Sequence, residues 1–402
     1  MNIYPLSNIS RKINGSNLNL KFSDIKDDNI ILSKTISKYL STVKEQIKLY
    51  SKQWDIMKKI TNPYEFIHTP LPGKTQSISK IHPLSRAFFK LIEICNLFDI
   101  FKCFNYNSIN SFHLAEGPGG FIEAMTYLRF NKDDKYYGMT LLKKDCEDIP
   151  GWDKASLFLN KNKNVSIEKG VDGTGNLYNS KNYIHCIKNY KNSMDFITGD
   201  GGFDFSVNYN EQETQATRLI LTQIAYAIGM QKKGGCFILK VFDLFTEPSL
   251  DFLYLLSSFY KNISIIKPYT SRLANSEKYI VCQNFKFEDT TEIIIKFSSI
   301  LHVLDNMSFK DIKISKILDV KINYYYIKTI EEINAILYHQ QISNILLTLR
   351  IIQNNEKKTE KIELMKNKNI KKCLNWCAKN RIPHNRFGIS SNIFLSGSRF
   401  NA

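Results

Sequence analysis

From Leu84 to about residue 290 short apolar strands alternate with helical segments, and this alternation restricts the fold more than any other feature. SRAFFKLIEICNLF (85–98) has helical periodicity. SFHLAEGPGG (111–120) reads as a strand entering a glycine turn, and FIEAMTYLR (121–129) as the helix after it. KYYGMTLL (135–142), VSIEKG (165–170) and SMDFITGDGG (193–202) read as further strands. QATRLILTQIAYAIGMQKKGG (215–235) reads as a helix stopped by two glycines, ahead of the strand CFILKVF (236–242). A helix at 250–260 precedes strands at 263–268 and 277–285. Strands alternating with helices predict a mostly parallel sheet covered on both faces, an α/β fold.

The flanks follow other patterns. Residues 1–30 are polar and Asn/Ser-rich, which predicts an arm or loop. Ile36, Tyr39, Leu40, Val43, Ile47, Tyr50, Trp54 and Met57 recur at steps of three and four. That spacing predicts one face of a single long helix, ending near Asn62-Pro63. Residues 68–83 carry three prolines and read as loop. Residues 291–352 mix helical and strand-like runs, and 356–386 hold ten Lys/Arg against three Glu. The expected organisation is an N-terminal arm and helical extension at 1–79, an α/β domain at 80–290, and a C-terminal extension of unassigned fold at 291–402.

Composition removes several classes. The apolar and aromatic content excludes disorder throughout. Eight irregularly spaced Cys read as free thiols in a reducing compartment, not as a secreted disulfide scaffold. No apolar run is long enough for a membrane span, and MNIYPLSNISRK lacks a signal-peptide pattern. The net charge is +17. A polyanionic partner, RNA or DNA, would explain it; so would an A/T-rich genome, since Lys, Asn and Ile are all abundant.

Five places could carry chemistry. HLAEGPGGF (113–121) sets a glycine turn between strand and helix, open to a nucleotide or equally a plain tight turn. Asp200 in TGDGGFD (198–204) follows a buried-looking strand. It is either open to a ligand or a loop cap. Lys240 interrupts the apolar strand CFILKVF, which is costly unless it is paired, faces a cleft or snorkels. Glu277 opens a strand beside Asn275 and Ser276, with Arg272 in the loop before it. Lys90 shares a helix face with Arg86 and Glu93, by default a solvated ion-paired face. Cys373, Cys377 and His384 fall one ligand short of a four-ligand zinc site, and no metal is assigned. Cys95 and Cys103 read as core thiols.

The order of these residues is more specific than any one of them. Lys90, Asp200, Lys240 and Glu277 around a GPGG turn resemble the K-D-K-E tetrad of the FtsJ-like ribose 2'-O-methyltransferases. Within that family the strings GMTL (138–141), VDGTGN (171–176), DGGF (200–203), FDLFT (242–246) and TSRLANSEKYIVC (270–282) resemble eukaryotic and viral enzymes that modify mRNA caps at the first nucleotide. FHLAEGPG (112–119) and FDFSVNYNEQE (203–213) are nearer to those acting at the second. The resemblance covers about residues 80–290.

It implies a Rossmann-like sheet with helices on both faces, carrying helical N-terminal and mixed C-terminal extensions. It implies S-adenosyl-L-methionine as cofactor and capped mRNA, m7GpppN at its 5' end, as partner, with the first nucleotide favoured. Other capping enzymes or the transcription machinery are further partners it suggests. The place would be intracellular: cytoplasm, viral factory or virion for a viral protein, nucleus for a cellular one. Lys90, Asp200, Lys240 and Glu277 would be catalytic. Ala115, Glu116, Gly117, Pro118, Gly119, Gly120, Phe121, Thr140, Asn176, Leu177 and Asp200 would bind the cofactor. Bacterial relatives carry an Asp where Thr140 stands, which leaves the cofactor's ribose contact to Glu116 or Asp145. Ser85, Arg86, Asn210, Glu211, Gln212, Arg272 and Asn275 would contact RNA. Competing readings are an rRNA or tRNA 2'-O-methyltransferase, a non-catalytic RNA-binding subunit, and a DNA-binding regulator.

Overall fold

The computed structural model describes residues 2–10, 12–104, 107–142, 151–202, 210–353 and 359–385. Strands β1 (Ile3–Leu6) and β2 (Leu18–Asp24) and helices α1 (Lys34–Lys48) and α2 (Ser51–Thr61) come first. Then follow α3 (Ala87–Leu97), β3 (Asn110–Leu114), α4 (Gly120–Arg129), β4 (Lys135–Met139), α5 (Ser156–Lys161), β5 (Val165–Ile167), α6 (Ser180–Tyr190) and β6 (Met194–Gly199). Next are α7 (Gln212–Met230), β7 (Gln231–Val241), α8 (Glu247–Phe259), β8 (Tyr260–Ile266) and β9 (Lys278–Phe285). The chain continues through α9 (Thr291–Asp305), β10 (Ile312–Leu318), α10 (Tyr324–Gln353) and α11 (Thr359–Lys379).

Among the described residues the main sheet has eight strands in the order β1-β8-β9-β7-β6-β3-β4-β5. Strands β7, β6, β3, β4 and β5 run parallel, whereas β9 and β8 pair antiparallel, as do β8 and β1. The sheet is thus parallel on one side only. The loop between β8 and β9 contains no helix, and a parallel crossover needs about a dozen residues or more, usually helical. The reversal has a functional result: the start of β9 lies beside the carboxyl end of β7, with Lys278 opposite Val241.

Three sequence expectations are corrected. Residues 1–30 are not only an arm: β1 extends the sheet edge, with Ile3 opposite Ile266, and β2 pairs with β10 in a second, two-stranded sheet. Strand β1 is too short for periodicity to mark it, whereas the alternation of Leu18, Leu20 and Phe22 with Asn19, Lys21 and Ser23 was a legible strand signal for β2 that went unread; Leu6, Ile13 and Leu18 supply the burial. The long helix is two helices. Both α1 and α2 pack on α10 through Leu40, Val43, Ile47 and Trp54 against Tyr338, Ile342 and Ile345, so the apolar spacing runs across the break. Helix α7 ends at Met230, before the glycines, which lie inside β7. The side chain of Gln231 supplies the anchor: it donates to the Met194 carbonyl at 2.8 Å and accepts from the Tyr260 hydroxyl at 3.0 Å.

Both sheet faces are covered, and both extensions share in the cover. On one face Leu253 and Leu256 pack in one cluster with Leu6, Leu18, Ile317, Leu318 and Ile330. On the other, Phe88, Phe89, Phe121 and Val281 cluster with Cys373, Trp376 and Cys377 of α11. Cys373 and Cys377 are therefore core thiols here, and the Cys373 thiol points to the Pro63 carbonyl at 3.5 Å. Cys95 is buried too, while the side chain of Cys103 lies outside the described residues. No described helix is long and apolar enough to cross a membrane.

Buried Asp251 of α8 ties β10 to the sheet domain, accepting the Ile317 and Leu318 amides at 2.7 and 3.0 Å. Asp251→Ala strands both amides and should lower stability by about 1–3 kcal/mol in urea unfolding. Asp251→Asn keeps an acceptor oxygen and should lose clearly less.

Candidate active site

The carboxyl ends of β3, β4, β6 and β7 open into one cavity of about 1020 Å³. Ligands in parallel α/β sheets bind at this edge. Asp200 follows β6, Lys240 ends β7, Glu277 precedes β9, and Lys90 reaches in from α3. All four line the cavity.

They form two linked ion pairs. Lys90 Nζ lies 2.8 Å from Glu277 Oε2, and Lys240 Nζ lies 3.2 Å from Asp200 Oδ1. Lys240 also donates to the Asp200 carbonyl at 2.5 Å. The Tyr279 hydroxyl donates to Asp200 Oδ1 at 2.8 Å, and Ser271 Oγ to Glu277 Oε1 at 2.8 Å. Lys90 is buried, against its default reading as part of a solvated helix face. Burial pulls the Lys90 amine below its ordinary value, with Glu277 and Asp200 opposing. Burial also opposes ionisation of Glu277, but Lys90 and Lys240 outweigh it and hold its carboxyl far below the usual range. The arrangement keeps two amines and two carboxyls ordered at one wall of the cavity.

The glycine turn meets the cavity through Ala115, Gly117 and Pro118, joined by Thr140, Asn176, Leu177 and Tyr178. Glu116, Gly119, Gly120 and Phe121 stand behind this wall. Glu116 is buried, and its Oε1 accepts the Phe121 and Ile122 amides at 2.6 and 3.0 Å, capping α4. That oxygen is engaged in the cap; Asp145, the alternative ribose contact, lies outside the described residues. A Cβ on Gly120 would sit 2.1 Å from Ser85 Oγ, so this glycine lets α4 approach the start of α3. Gly175 has φ +64, and a Cβ there would sit 2.0 Å from the Thr140 carbonyl, which fixes the Asn176–Tyr178 wall against β4.

Of the expected RNA contacts, Ser85, Arg86, Gln212, Arg272 and Asn275 line the cavity. Asn210 instead borders a smaller neighbouring cavity of about 220 Å³, and Glu211 lines neither. Arg272 is held by Glu65, which accepts from its Nε at 2.9 Å and its Nη2 at 2.5 Å. Arg86 donates Nη2 to the Thr270 carbonyl at 3.3 Å, while its buried Nε has no partner among the described residues.

Sequence reasoning missed the contribution of the N-terminal extension. Lys44, Ile47, Trp54 and Lys58 all line the cavity. Lys44 donates to Asp243 Oδ2 at 2.8 Å and to Ser276 Oγ at 3.0 Å, gripping the loops after β7 and before β9. A signal existed: Lys44 interrupts the apolar face between Val43 and Ile47, as Lys240 interrupts its strand. Tyr279 was also missed, since an aromatic inside an apolar strand looks like core.

The FtsJ-like methyltransferase family model matches residues 83–285. That is half the chain, and the chain belongs to this family. Among curated relatives, the mouse cap-specific mRNA (nucleoside-2'-O-)-methyltransferase 1 is 34% identical over 201 residues, covering 48% of this chain and 24% of the relative. The corresponding enzyme 1A of Caenorhabditis briggsae is 31% identical over 238 residues, covering 57% and 27%. Its inactive 1B counterpart is 29% identical over 238 residues, covering 57% and 28%. The chain thus matches about a quarter of the length of these relatives. A putative ribosomal RNA methyltransferase from Plasmodium falciparum, solved by crystallography, aligns with a TM-score of 0.35 at 20% identity, over 50% of this chain and 98% of that one.

Burial raises the Glu116 carboxyl from its ordinary 4.5 to about 8, against its bonds to the two amides. A raised carboxyl stabilises the fold fully below its ordinary value, and the contribution is lost as pH rises through about 8. Thermal melts from about pH 5 to about pH 9 should therefore fall for the wild type relative to Glu116→Gln, which keeps the acceptor and does not titrate.

Proposed function

We propose that this cavity binds S-adenosyl-L-methionine and methylates the ribose 2'-hydroxyl of a 5'-terminal nucleotide of capped mRNA. The observation that carries this reading is the intact, mutually paired quartet of Lys90, Asp200, Lys240 and Glu277 at the rim of the glycine turn. The residues fit the cofactor by their chemistry. Leu177 and Tyr178 offer apolar surface, and Thr140, Asn176 and Asp200 offer polar groups beside it. When bound, the cofactor supplies an electrophilic methyl group.

The chain's own residues prepare the nucleophile. A free 2'-hydroxyl is weak at neutral pH. Lys240, fixed by both the carboxylate and the carbonyl of Asp200, presents its amine to the hydroxyl and stabilises the oxyanion character that grows during transfer. Tyr279 donates to the same Asp200 oxygen and helps to fix that carboxylate. Lys90 and Glu277 form the second pair and hold the ribose in line. Arg86 lines the cavity, and its guanidinium charge suits a phosphate of the RNA backbone. The strings at 138–141, 171–176 and 270–282 favour the first nucleotide as the modified position, and the position of the label decides between first and second.

Methyl transfer from labelled S-adenosylmethionine should occur on m7GpppN-capped RNA and not on uncapped RNA of the same sequence. Lys240→Ala should reduce it by about a hundredfold or more, assayed below the variant's melting temperature so that the loss is read on folded protein. Equal label on both RNAs would move the enzyme to the rRNA or tRNA class. Absence of label despite cofactor binding would favour a non-catalytic RNA-binding role and overturn the proposal for the isolated chain.

A further inference from the structure

We infer that the last turn of α2 and the middle of α11 form a single-stranded RNA track that receives the transcript body as it leaves the cavity. The inference rests on RNA being the substrate, and extends it to a surface outside residues 83–285, the segment matched by the family model.

The track begins at the cavity. Trp54 and Lys58 of α2 line it, so α2 forms part of its rim. Helix α11 is joined to the end of α2 by buried polar bonds. Asn369 Nδ2 donates to the Ile60 carbonyl at 2.8 Å, and the Cys373 thiol points to the Pro63 carbonyl one turn on. These contacts put the turn around Asn369 beside Lys58 and Lys59. The buried positions Asn369, Cys373, Trp376 and Cys377 fix one face of α11 inward. Lys361, Lys368, Lys371 and Lys379 are exposed and recur along the opposite face.

Charge is strongly one-sided here. From Lys34 to Thr61 there are seven lysines against two acidic residues, and in α11 six against two. Local acids neutralise little of this. Asp55 pairs with Lys58 at 2.5 Å and Glu363 with Lys366 at 2.5 Å, and among the described residues no carboxylate forms an ion pair with Lys59, Lys368 or Lys371. A helix stabilised by its own charges would alternate signs at i and i+4; this face does not. Exposed lysines without base-reading geometry suit a flexible polyphosphate backbone, giving sequence-independent, salt-sensitive binding. Continuity with the cavity rim and this charge favour RNA over a folded acidic protein.

The test is the charge-reversed triple variant Lys59→Glu/Lys368→Glu/Lys371→Glu, beside the neutral triple to Gln, both checked by thermal melting. None of the three residues lines the cavity. On a long capped RNA the Glu variant should raise KM at least about tenfold, with kcat unchanged, and the Gln variant should fall between it and wild type. On a capped dinucleotide all three proteins should turn over alike. The slope of log K against log salt for a long single strand should shrink by about 2 for three lost phosphate contacts. Equal loss on short and long substrates, or an unchanged salt slope, would overturn the track. If the wild type methylates no capped substrate, the reading of function fails; binding of an uncapped single strand by the same three proteins still decides the track.

Discussion

The ion pairing of Lys90 with Glu277 and of Lys240 with Asp200 is the constraint that the rest of the molecule serves. Four ionisable groups at the edge of a core are costly to desolvate, and leaving one without its partner costs several kcal/mol. The fold meets this cost by bringing each group from a different element. One carboxylate follows a parallel strand, one amine ends its neighbour, the second carboxylate precedes a reversed strand, and the second amine projects from a helix. Ser271 then satisfies the second oxygen of Glu277, and Tyr279 joins Lys240 on Oδ1 of Asp200.

Around the quartet lies a second polar layer, and it comes from outside the alternating region. Lys44 of α1 grips Asp243 and Ser276. Tyr338 of α10 accepts the Leu244 amide at 2.7 Å and the Lys278 amine at 3.1 Å, while Gln341 donates to the Ala274 carbonyl at 3.0 Å. Glu65, itself bonded by Asn62 at 2.7 Å, fixes Arg272. The loops at 242–246 and 270–277 carry or adjoin most of the chemistry, and as bare loops they would be mobile. The extensions hold them to one geometry, as the proposed in-line methyl transfer would require.

The sequence made the alternating region legible because burial there is periodic and long. The four quartet residues were legible for another reason: Lys240 stood out as a charge interrupting an apolar strand, and the other three through their order, which matches a known pattern. What stayed hidden was short or non-local. Strand β1 has four residues and no alternation to detect. Helix α6 escaped because its burial is mixed, with Asn182 as deeply placed as Tyr183. The break between α1 and α2 was masked by α10, which takes the same apolar face on both sides. The role of Glu116 could not be read at all, since a carboxylate in a cofactor turn looks the same whether it faces a ligand or caps the helix behind it.

The reversed strand β9 has a consequence for how the protein is made. Its antiparallel pairing with β7 means that Glu277 joins Lys90 only after nearly two hundred residues of intervening chain have been synthesised, a separation of 187 positions. Tyr338 and Gln341 arrive later still, and Trp376 last. Contacts of such long range form slowly and close to the end of folding. A nascent chain on the ribosome therefore holds its parallel strands well before it holds a working cleft. Translation that stops short of α10 would leave the sheet with its lysines in place and the loops around them unfastened, so the order of the cleft depends on residues far downstream of the strands that carry it.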